Sequence, residues 1–376
     1  MQTTIKIMEE KMEKQFDRKI VLEDGSEYLG YAFGDKATES VCEIVFNTSM
    51  VGYQEILSDP SYTGQMVVMT YPLIGNYGIS DDDYEAKTPT MGGFIVREYN
   101  DLPSNFRYTK TLSEVMEENH IPGISGVDTR KLTRHIRENG CMRAIITNMD
   151  TTVKQALKII KNTSVQQDVV SIVSSKKRWY SRTANPKFNV VVVDCGAKLS
   201  TIRALNERSC NITVVPYNTK PEFIESMNPT GIFIPNGPGN PTDVPQVVEL
   251  IKYFKGKLPI LGVDLGCQLI GLAYGAKTYK LKFGHRGSNH AVRILETGKL
   301  LITTQNRSYS IDADSIKNTD LEITHVNVLD GTVEGIKCDK DKVYGVLYHP
   351  EVEKSDNVYN MYDKFIAVMK EGTENA

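Results

Sequence analysis

The sequence predicts a two-domain α/β protein, in which a β-rich α/β domain precedes a doubly wound domain with a mixed sheet. Three observations lead to this prediction. The chain has 376 residues, more than one average domain contains. Its first half carries short β-rich runs separated by turn signals, and its second half carries unbroken apolar runs separated by helix-length segments. Apolar runs without alternation are typical of parallel strands that are covered on both faces.

Composition and charge exclude several classes of protein. Hydrophobic residues make up 40% and charged residues 24% of the chain, which is typical of a globular protein. A formal net charge of −3 provides no dominant basic field for nucleic acid. No window approaches 18 consecutive apolar residues, and residues 1–18 lack the apolar region of a signal peptide. We therefore expect neither a membrane nor a nucleic-acid partner, and residues 1–18 are treated as an N-terminal extension.

The cysteines favour a reducing, cytoplasmic environment. They are scattered along the chain, and no pair has CxxC spacing. Neither a zinc ribbon nor a disulfide framework is therefore expected, and no metal site is predicted. The cysteines in question are Cys42, Cys141, Cys195, Cys210, Cys267 and Cys338.

Residues 19–150 are predicted to form the first domain. Two β-rich runs around Asp24-Gly25 indicate a β-hairpin over residues 19–34. Turn-rich stretches then separate further short strands. These strands are predicted at Val41–Phe46, Met66–Thr70 and Gly92–Val96.

A helix and a connecting segment complete this half. Asp128 is a typical N-cap, the helical pattern continues to Asn139, and Gly140 is a typical helix end. Residues 151–187 are polar and weakly periodic, and they end in a charged, serine-containing stretch with Pro186. We predict that this segment is the linker between the domains.

Residues 188–376 are predicted to form the doubly wound domain, because apolar strands here alternate with glycine turns and helical patterns. Ligands of such sheets gather beyond the carboxyl ends of the strands, so the chemistry is expected there. After residue 290 the runs become shorter and alternate, which indicates added antiparallel strands. The predicted parallel strands are Asn189–Cys195, Ile212–Tyr217, Gly231–Pro235 and Pro259–Val263.

The segment Gly262–Gln268 predicts an exposed residue at a sharp strand-to-helix turn. It leaves a strand and enters a helix predicted over Gln268–Tyr274. A helix N-terminus supplies free N–H groups and a positive field, so a side chain at this corner would lie beside an oxyanion site. This is the geometry of a nucleophile elbow. An ordinary tight turn of an α/β protein is the alternative.

Other segments are candidates for the same site. Residues two apart on an extended segment share a face, so Glu351 could orient His349 as a base, although a surface turn is the alternative. The turn Gly237–Gly239 could offer backbone N–H groups to an anion, or it could be a simple turn. Asn306 and Tyr309 are predicted to lie in a solvated loop.

The order of these segments resembles that of the class I glutamine amidotransferases. The matching motifs of the second half are the elbow, NGPGNP (236–241), KFGHRGSNH (282–290), QN (305–306) and HPE (349–351). The first half looks like the small subunit of carbamoyl-phosphate synthase, and its motifs are specific to that subunit. They are FNTSM (46–50), GYQEILSDPSY (52–62), TYPLIGNYG (70–78), SNFR (104–107) and DTRKLT (128–133). The resemblance extends from about residue 19 to residue 370.

The resemblance implies a reaction and a partner. In this family a cysteine thiolate at the elbow attacks glutamine, which gives a thioester and ammonia, and a His-Glu pair serves as the base and its orienting residue. The ammonia passes through a tunnel to a large synthetase subunit, which uses bicarbonate and two ATP to make carbamoyl phosphate for arginine and pyrimidine synthesis. The implied partner is that large subunit, in a heterodimer or a higher oligomer. No cofactor is expected in this chain, because ATP and Mg are expected on the large subunit.

The family's site residues can be carried over to matching positions. His349 and Glu351 match the base and its orienting residue. Asp264 takes the position of the nucleophilic cysteine, since the family elbow reads Gly-Ile/Val-Cys-Leu-Gly-His-Gln, and Cys267 takes the position of its histidine. The implied glutamine-binding positions are Ser61, Gly237, Gly239, Leu265, Gln268, Asn306, Ser308 and Tyr309.

The departures from the family pattern cluster around the chemistry. Ser308 stands where glycine is usual, and Arg307 replaces a histidine beside it. The stretch after Glu351 reads VEKSD, where the family has Ala-Ser-Pro-Gly-Pro.

We expect Asp264 to be ionised at pH 7, because a helix N-terminus and a protonated His349 both favour the anion. It would then pair with His349 without reacting. Cys267 lies three residues further along the helix, about 300° around its axis, so its sulfur should miss the elbow position. Two hypotheses remain: a glutaminase-deficient subunit that binds or tunes a large subunit or senses glutamine, and an active glutamine-hydrolysing amidotransferase subunit.

Overall fold

The first domain is built around a closed β-barrel. The computed structural model describes residues 15–352 and 360–374, so most of the extension predicted over 1–18 lies outside the described residues. The strands of the barrel follow the spatial order β1-β2-β8-β6-β4-β3-β9. Their bounds are β1 Arg18–Leu22, β2 Glu27–Gly34, β3 Ser40–Asn47, β4 Gln65–Met69, β6 Gly93–Ile95, β8 Pro122–Ser125 and β9 Met142–Asn148.

The predicted elements of this domain are confirmed. β1 and β2 form an antiparallel hairpin, and each of the three predicted strands is present. The predicted helix forms, with Asp128 accepting from the Lys131 N–H at its start and Gly140 at its end. The antiparallel pairing of β1 with β9 closes the barrel. The remaining elements are β5 Leu73–Ile74, β7 Glu98–Tyr99, α1 Tyr53–Ser58, α2 Leu112–Glu118 and α3 Thr129–Asn139.

The segment predicted as a linker contains regular secondary structure. It contains α4 Val153–Asn162, α5 Val170–Val173 and β10 Trp179–Ser181. α4 buries Ala156 and Ile160 against the barrel, and β10 pairs antiparallel with β12 at the edge of the second sheet. The two apolar contacts of α4 are too few to give a strong periodic signal, and β10 is short and half-exposed.

The second domain has a ten-stranded sheet in the order β10-β12-β11-β13-β14-β19-β18-β17-β15-β16. The predicted parallel strands are confirmed, and helices cover both faces of this part of the sheet. α6 and α11 pack on one face and α8 and α9 on the other. The elements are β11 Phe188–Asp194, α6 Leu199–Glu207, β12 Cys210–Pro216, α7 Pro221–Glu225, β13 Gly231–Ile234, α8 Pro245–Phe254, β14 Ile260–Val263, α9 Leu265–Ala273, β19 Val343–Val346 and α11 Met361–Glu374.

The antiparallel extension differs from its prediction in three respects. It starts with a 17-residue strand well before residue 290. The last alternating run, β19, is parallel to β14 and so belongs to the central sheet. Asn306 and Tyr309 lie within β16 rather than in a solvated loop. The residues here are polar, but they are paired with β15, which places them in a strand. The elements are β15 Thr278–Ile294, β16 Leu300–Ile311, α10 Ala313–Ile316, β17 Glu322–Asn327 and β18 Val333–Cys338.

The two domains meet through polar contacts near the carboxyl ends of the parallel strands. Asn236 donates to the Ser61 hydroxyl at 2.8 Å, and Asn306 donates to the Asp59 carboxylate at 3.0 Å. Loop residues of the barrel therefore help to build whatever site lies at this edge of the sheet. Among the residues that the structure describes, no helix has the length and apolar character needed to cross a membrane.

Candidate active site

Asp264 occupies a strained corner between β14 and α9. Its backbone has φ 52° and ψ −108°, in a region that side-chain-bearing residues seldom adopt. The corner is tight because Gly266 lies against β13, where a Cβ atom would come within 2.0 Å of the Ile234 carbonyl oxygen. α9 begins at Leu265 rather than at the predicted Gln268, so Asp264 is directly its N-cap residue. This geometry raises one side chain over a helix N-terminus, as in a nucleophile elbow.

The Asp264 carboxyl is buried, which corrects the expectation that it is fully ionised at pH 7. The residue is 2% exposed, and Oδ1 has no hydrogen-bond partner in the described part of the chain. Burial raises the pKa of Asp264 to about 7, although His349 and Arg307 act in the opposite direction. Desolvation therefore outweighs the positive charges and favours the protonated carboxyl.

His349 and Glu351 lie together behind Asp264. His349 Nδ1 is 3.4 Å from Glu351 Oε1, and neither imidazole nitrogen has a hydrogen-bond partner among the described side chains and backbone. The two side chains of the predicted pair therefore lie close together. The segment carrying Glu351 is a 3₁₀ turn over Pro350–Val352 and not the extended segment assumed from the sequence. No hydrogen bond joins Asp264 to His349 among the described residues, because neither nitrogen of His349 has a partner, and the predicted pairing of the two is limited to an electrostatic interaction.

Lys198 is a further site residue that the sequence reasoning missed. Its Nζ lies 2.8 Å from Glu351 Oε1, and both side chains are more than nine-tenths buried. Burial opposes ionisation of Glu351, but Lys198 and His349 hold its pKa well below the usual range. Burial also opposes the charge on Lys198, but nearby carboxylates raise its pKa. These carboxylates are Glu351, Glu85 and Asp59. The sequence signal that could have identified Lys198 is its position shortly after the buried strand β11 and the turn at Gly196.

The predicted glutamine-binding residues surround a cavity of about 670 Å³ between the domains. Leu265, His349 and Glu351 are buried beside the cavity rather than on its wall. Asp264 joins the wall next to the predicted binding residues. Those on the wall are Ser61, Gly237, Gly239, Gln268, Asn306, Ser308 and Tyr309.

Two contacts fix residues of the cavity wall in place, a hydrogen bond made by Gln268 and the close packing of Gly237 against the end of β11. Gln268 donates to the Tyr309 carbonyl oxygen at 3.2 Å, which ties α9 to β16. Gly237 lies so close to β11 that a Cβ atom there would come within 2.2 Å of the Cys195 carbonyl oxygen. The turn at Gly237 therefore requires glycine, and its backbone can approach a ligand closely.

The thiols near the site are not placed at the elbow. Cys267 is completely buried in the core beneath α9, where its sulfur faces Gly345 and burial raises its pKa well above the usual value. Cys42 and Cys141 contribute to the cavity wall on the side of the barrel. Burial raises the pKa of both thiols, that of Cys141 to about 11. The three thiols are therefore protonated at neutral pH, and a thiol is a much weaker nucleophile than a thiolate.

Arg307, which the sequence analysis predicts to be a departure from the family pattern, is the centre of a buried polar network. Its guanidinium lies 2.9 Å from Glu334 Oε1 and donates to Gln305 Oε1 at 2.6 Å and to the Leu347 carbonyl oxygen at 3.2 Å. It also contacts His285 Nδ1 at 2.7 Å. Arg307 therefore stabilises the strands behind the site, and its charge is balanced by Glu334. The departure after Glu351 begins at residue 352, and its positions from 353 onward lie outside the described residues.

Comparisons with known proteins assign the second domain to a class of enzymes and the whole chain to a family. Residues 191–369 match the family model of the class I glutamine amidotransferases, and residues 20–146 match that of the carbamoyl-phosphate synthase small chain, CPSase domain. With the elbow and the doubly wound sheet, the first match defines the second domain as a class I amidotransferase domain.

Curated relatives match over nearly their whole length. The chain is 49% identical to the carbamoyl phosphate synthase small chain of Staphylococcus epidermidis, over 95% of this chain and 97% of that protein. It is 48% identical to the protein of the same name from Bacillus cereus, over 95% and 98%. The chain therefore belongs to the carbamoyl-phosphate synthase small-chain family. A solved glutamine amidotransferase from Thermotoga maritima is 16% identical with a TM-score of 0.35, and covers 50% of this chain and 84% of its own.

Proposed function

We propose that this chain is the small subunit of a carbamoyl-phosphate synthase, that it retains a glutamine-shaped pocket, and that it does not hydrolyse glutamine. It would act as a partner-binding or regulatory subunit of a complex that uses free ammonia. The observation that carries this proposal is the side chain at the elbow. Asp264, a carboxyl group, stands at the strained corner where the family resemblance implies a cysteine.

A carboxylate at this corner is a poor nucleophile toward an amide. Its attack on glutamine would give a mixed anhydride, which is a more energetic acyl compound than the amide from which it forms. Burial also raises the pKa of Asp264 to about 7, so only part of the population carries a charge at neutral pH. Loss of the nucleophile from a catalytic triad lowers kcat by about 10⁶-fold in a well-studied hydrolase. None of the three thiols near the site in the described structure replaces this nucleophile as a thiolate. Burial raises the pKa values of the thiols of Cys42, Cys141 and Cys267.

The alternative is an active amidotransferase subunit, and one observation favours it. Cys42 and Cys141 line the same cavity as Asp264. However, the Cys141 Sγ donates to the Phe283 carbonyl oxygen at 3.5 Å, and neither thiol lies at a helix N-terminus that would lower its pKa. Of the two hypotheses, we therefore retain the glutaminase-deficient one.

Measurement of ammonia release tests this function. We expect the unmodified chain, alone and with its large subunit, to release ammonia from glutamine at about 10⁻⁶ of a normal family rate or less. Carbamoyl phosphate synthesis by the complex should depend on added ammonium. Turnover close to that of an intact relative, abolished by Cys141→Ser, Cys42→Ser or Cys267→Ser, would overturn the proposal and identify the nucleophile.

The proposed partner is the large subunit of the synthase, which would also hold ATP and Mg. The relatives are described as small chains, and the barrel domain keeps the motifs of that subunit. Placement in the cytoplasm and service to arginine or pyrimidine synthesis belong to the same proposal. The free state of the six cysteines fits a reducing compartment.

Exposed apolar side chains on the barrel domain favour it as the docking surface. Phe106 is 95% exposed, and Leu102, Val51 and Met50 are each more than 70% exposed on neighbouring loops of the same domain. Such side chains are typical of interaction surfaces when they cluster. We expect the chain to co-purify with its large subunit at micromolar concentration, and we expect Phe106→Arg to weaken the complex about tenfold or more.

Leu329→Arg is the matched control, because Leu329 is 81% exposed in the other domain, between β17 and β18. Dissociation constants measured by calorimetry or light scattering would compare the two variants. Failure of the unmodified chain to co-purify, or equal weakening by both substitutions, would contradict docking through the barrel.

A further inference from the structure

Arg286 contributes a buried guanidinium to the wall of the cavity. It lies on β15 directly opposite Asn306 of β16 and is 3% exposed. Its Nη2 donates to the Ser308 hydroxyl at 2.5 Å, and its Nη1 donates to the Phe283 carbonyl oxygen at 3.0 Å. The guanidinium is thus held beside two predicted glutamine-binding residues.

Within the part of the chain that the structure describes, no carboxylate is paired with Arg286. A guanidinium has five N–H donors, and the structure provides acceptors for two of those of Arg286, both uncharged. Its Nε is buried without a partner, and none of the carboxylates in residues 15–352 and 360–374 forms an ion pair with it. Two other cations of this wall are paired, Arg307 with Glu334 and Lys280 with Glu43. Arg143, which also forms no ion pair among the described residues, is less deeply buried than Arg286.

A buried cation without a counter-charge favours an anionic ligand. Removing a charge from water is unfavourable unless an opposite charge and hydrogen bonds compensate for it. The planar guanidinium fork matches the two oxygens of a carboxylate, and such charge-assisted bonds are among the strongest in proteins. The rest of the nearby wall offers the uncharged groups of Ser61, Gln268 and Asn306, which suit the polar atoms of an amino acid.

We propose that Arg286 binds the carboxylate of the small amino-acid ligand that this cavity takes. This inference rests on the proposed glutamine-shaped pocket and names the residue that anchors the ligand. Ser308 is a positioning residue in this arrangement, because its hydroxyl holds the guanidinium. The serine at a position where glycine is usual therefore has a structural reason in this chain.

Binding measurements on the full chain, by calorimetry, test the proposal. The probes are L-glutamine and 4-aminobutanamide, which is glutamine without its carboxylate. For Arg286→Gln we expect the affinity for glutamine to fall about 10- to 100-fold, as is typical for loss of hydrogen bonds to a charged group. The affinity for 4-aminobutanamide should be unchanged, and Arg286→Lys should retain part of the difference between the probes.

Arg143→Gln is the matched control. Arg143 also lines the cavity, but its guanidinium donates to the Thr163 carbonyl oxygen at 2.8 Å, away from Ser308. Neither affinity should change in this variant. Should Arg286→Gln fail to fold, Ser308→Ala removes only the hydroxyl that positions the guanidinium, and it should lower glutamine affinity severalfold with the same selectivity between probes.

Three results would overturn the proposal: unchanged glutamine affinity in Arg286→Gln, an equal loss for both probes, or no binding of glutamine by the unmodified chain. Tight binding of inorganic phosphate or acetate that glutamine does not displace would show a plain anion site and would overturn it as well. Absence of glutamine binding by the unmodified chain would also contradict the retained pocket of the proposed function. The other results would overturn only the role of Arg286, because they leave the expected absence of ammonia release and the assembly with a large subunit unchanged, so the two failures are distinguishable.

Discussion

If the proposed function holds, Asp264→Cys should raise the glutaminase activity of this chain far above that of the unmodified protein. The thiol would stand at the φ 52° corner, at the N-terminus of α9, beside an imidazole of His349 that has no hydrogen-bond partner in the described structure. A helix N-terminus and a neighbouring base both favour the thiolate. Because loss of a triad nucleophile costs about 10⁶-fold in kcat, we expect a gain of at least about 10³-fold in ammonia release.

The glutaminase activity that Asp264→Cys restores should remain partial, because other residues near the elbow also differ from those that the family resemblance implies. The family resemblance implies a histidine at the position of Cys267, and the charges of Arg307 and Glu334 act on the Cys267 thiol. The small side chain of Cys267 therefore occurs together with the long side chain of Arg307. Adding Cys267→His would insert an imidazole into a closed core where the sulfur already faces Gly345. Overpacking of this kind costs about 1–3 kcal/mol, so the double variant should be less stable than Asp264→Cys alone.

Asp264→Ala is the control for this experiment, since it removes the carboxyl without supplying a nucleophile, and it should stay inactive. Adding Glu351→Gln to Asp264→Cys should lower the regained activity, because Glu351 lies 3.4 Å from His349 Nδ1. Ammonia would be measured with the purified large subunit present and absent. No gain in Asp264→Cys, in a variant that folds and binds glutamine, would show that the site has lost more than its nucleophile.

The fold was predictable from the sequence where its signals are local or periodic. The unbroken apolar run at 189–195 could only be a strand covered on both faces, and Asp128 and Gly140 marked both ends of α3. Barrel closure by the pairing of β1 with β9 joins residues more than 100 positions apart. Such pairing depends on tertiary contacts that no local pattern records, and the same is true of β19 pairing with β14.

The site was predictable as a set of positions but not in its electrostatics. Motif order indicated which residues surround the cavity, whereas the pKa of Asp264 depends on how completely the corner is buried. Sequence reasoning counted the nearby positive charges and neglected desolvation, which is the larger effect here. It also missed Lys198 and Arg286, because their importance arises from what they do or do not pair with across the domains.

Asp264→Asn should stabilise the folded chain at high pH, with a gain that grows as pH rises. The folded-state pKa of Asp264, about 7, lies above the ordinary value of 3.8 for this side chain, so between these values the folded state binds more protons than the unfolded state. The free energy of unfolding therefore falls as pH rises through this window and levels out above pH 7. At about 1.36 kcal/mol per pKa unit, the difference between variant and parent should widen by about 2–3 kcal/mol from pH 5 to pH 8.

Asn has nearly the shape of Asp but no charge to bury, so the comparison isolates ionisation at the elbow. The groups that set the charge around Asp264 are His349, Arg307 and Asp59, and they are unchanged in the variant. Urea denaturation of both proteins at pH 5, 6, 7 and 8 would give the free energies of unfolding. A difference that stays constant across this range would contradict a raised pKa for Asp264.

Asp330→Asn provides a control of opposite sign. Although burial opposes the anion, the hydrogen bond from His285 at 2.7 Å and the Thr332 N–H hold the pKa of Asp330 well below its usual value. A carboxylate of this kind stabilises the folded state above its unfolded pKa, and that stability is lost as pH falls. Asp330→Asn should therefore destabilise the chain at neutral pH and lose its effect toward acid. A difference for Asp264→Asn that widens from pH 5 to pH 8, beside a difference for Asp330→Asn that is lost only below about pH 4, would show that the Asp264 carboxylate is held at the elbow at a cost to folding.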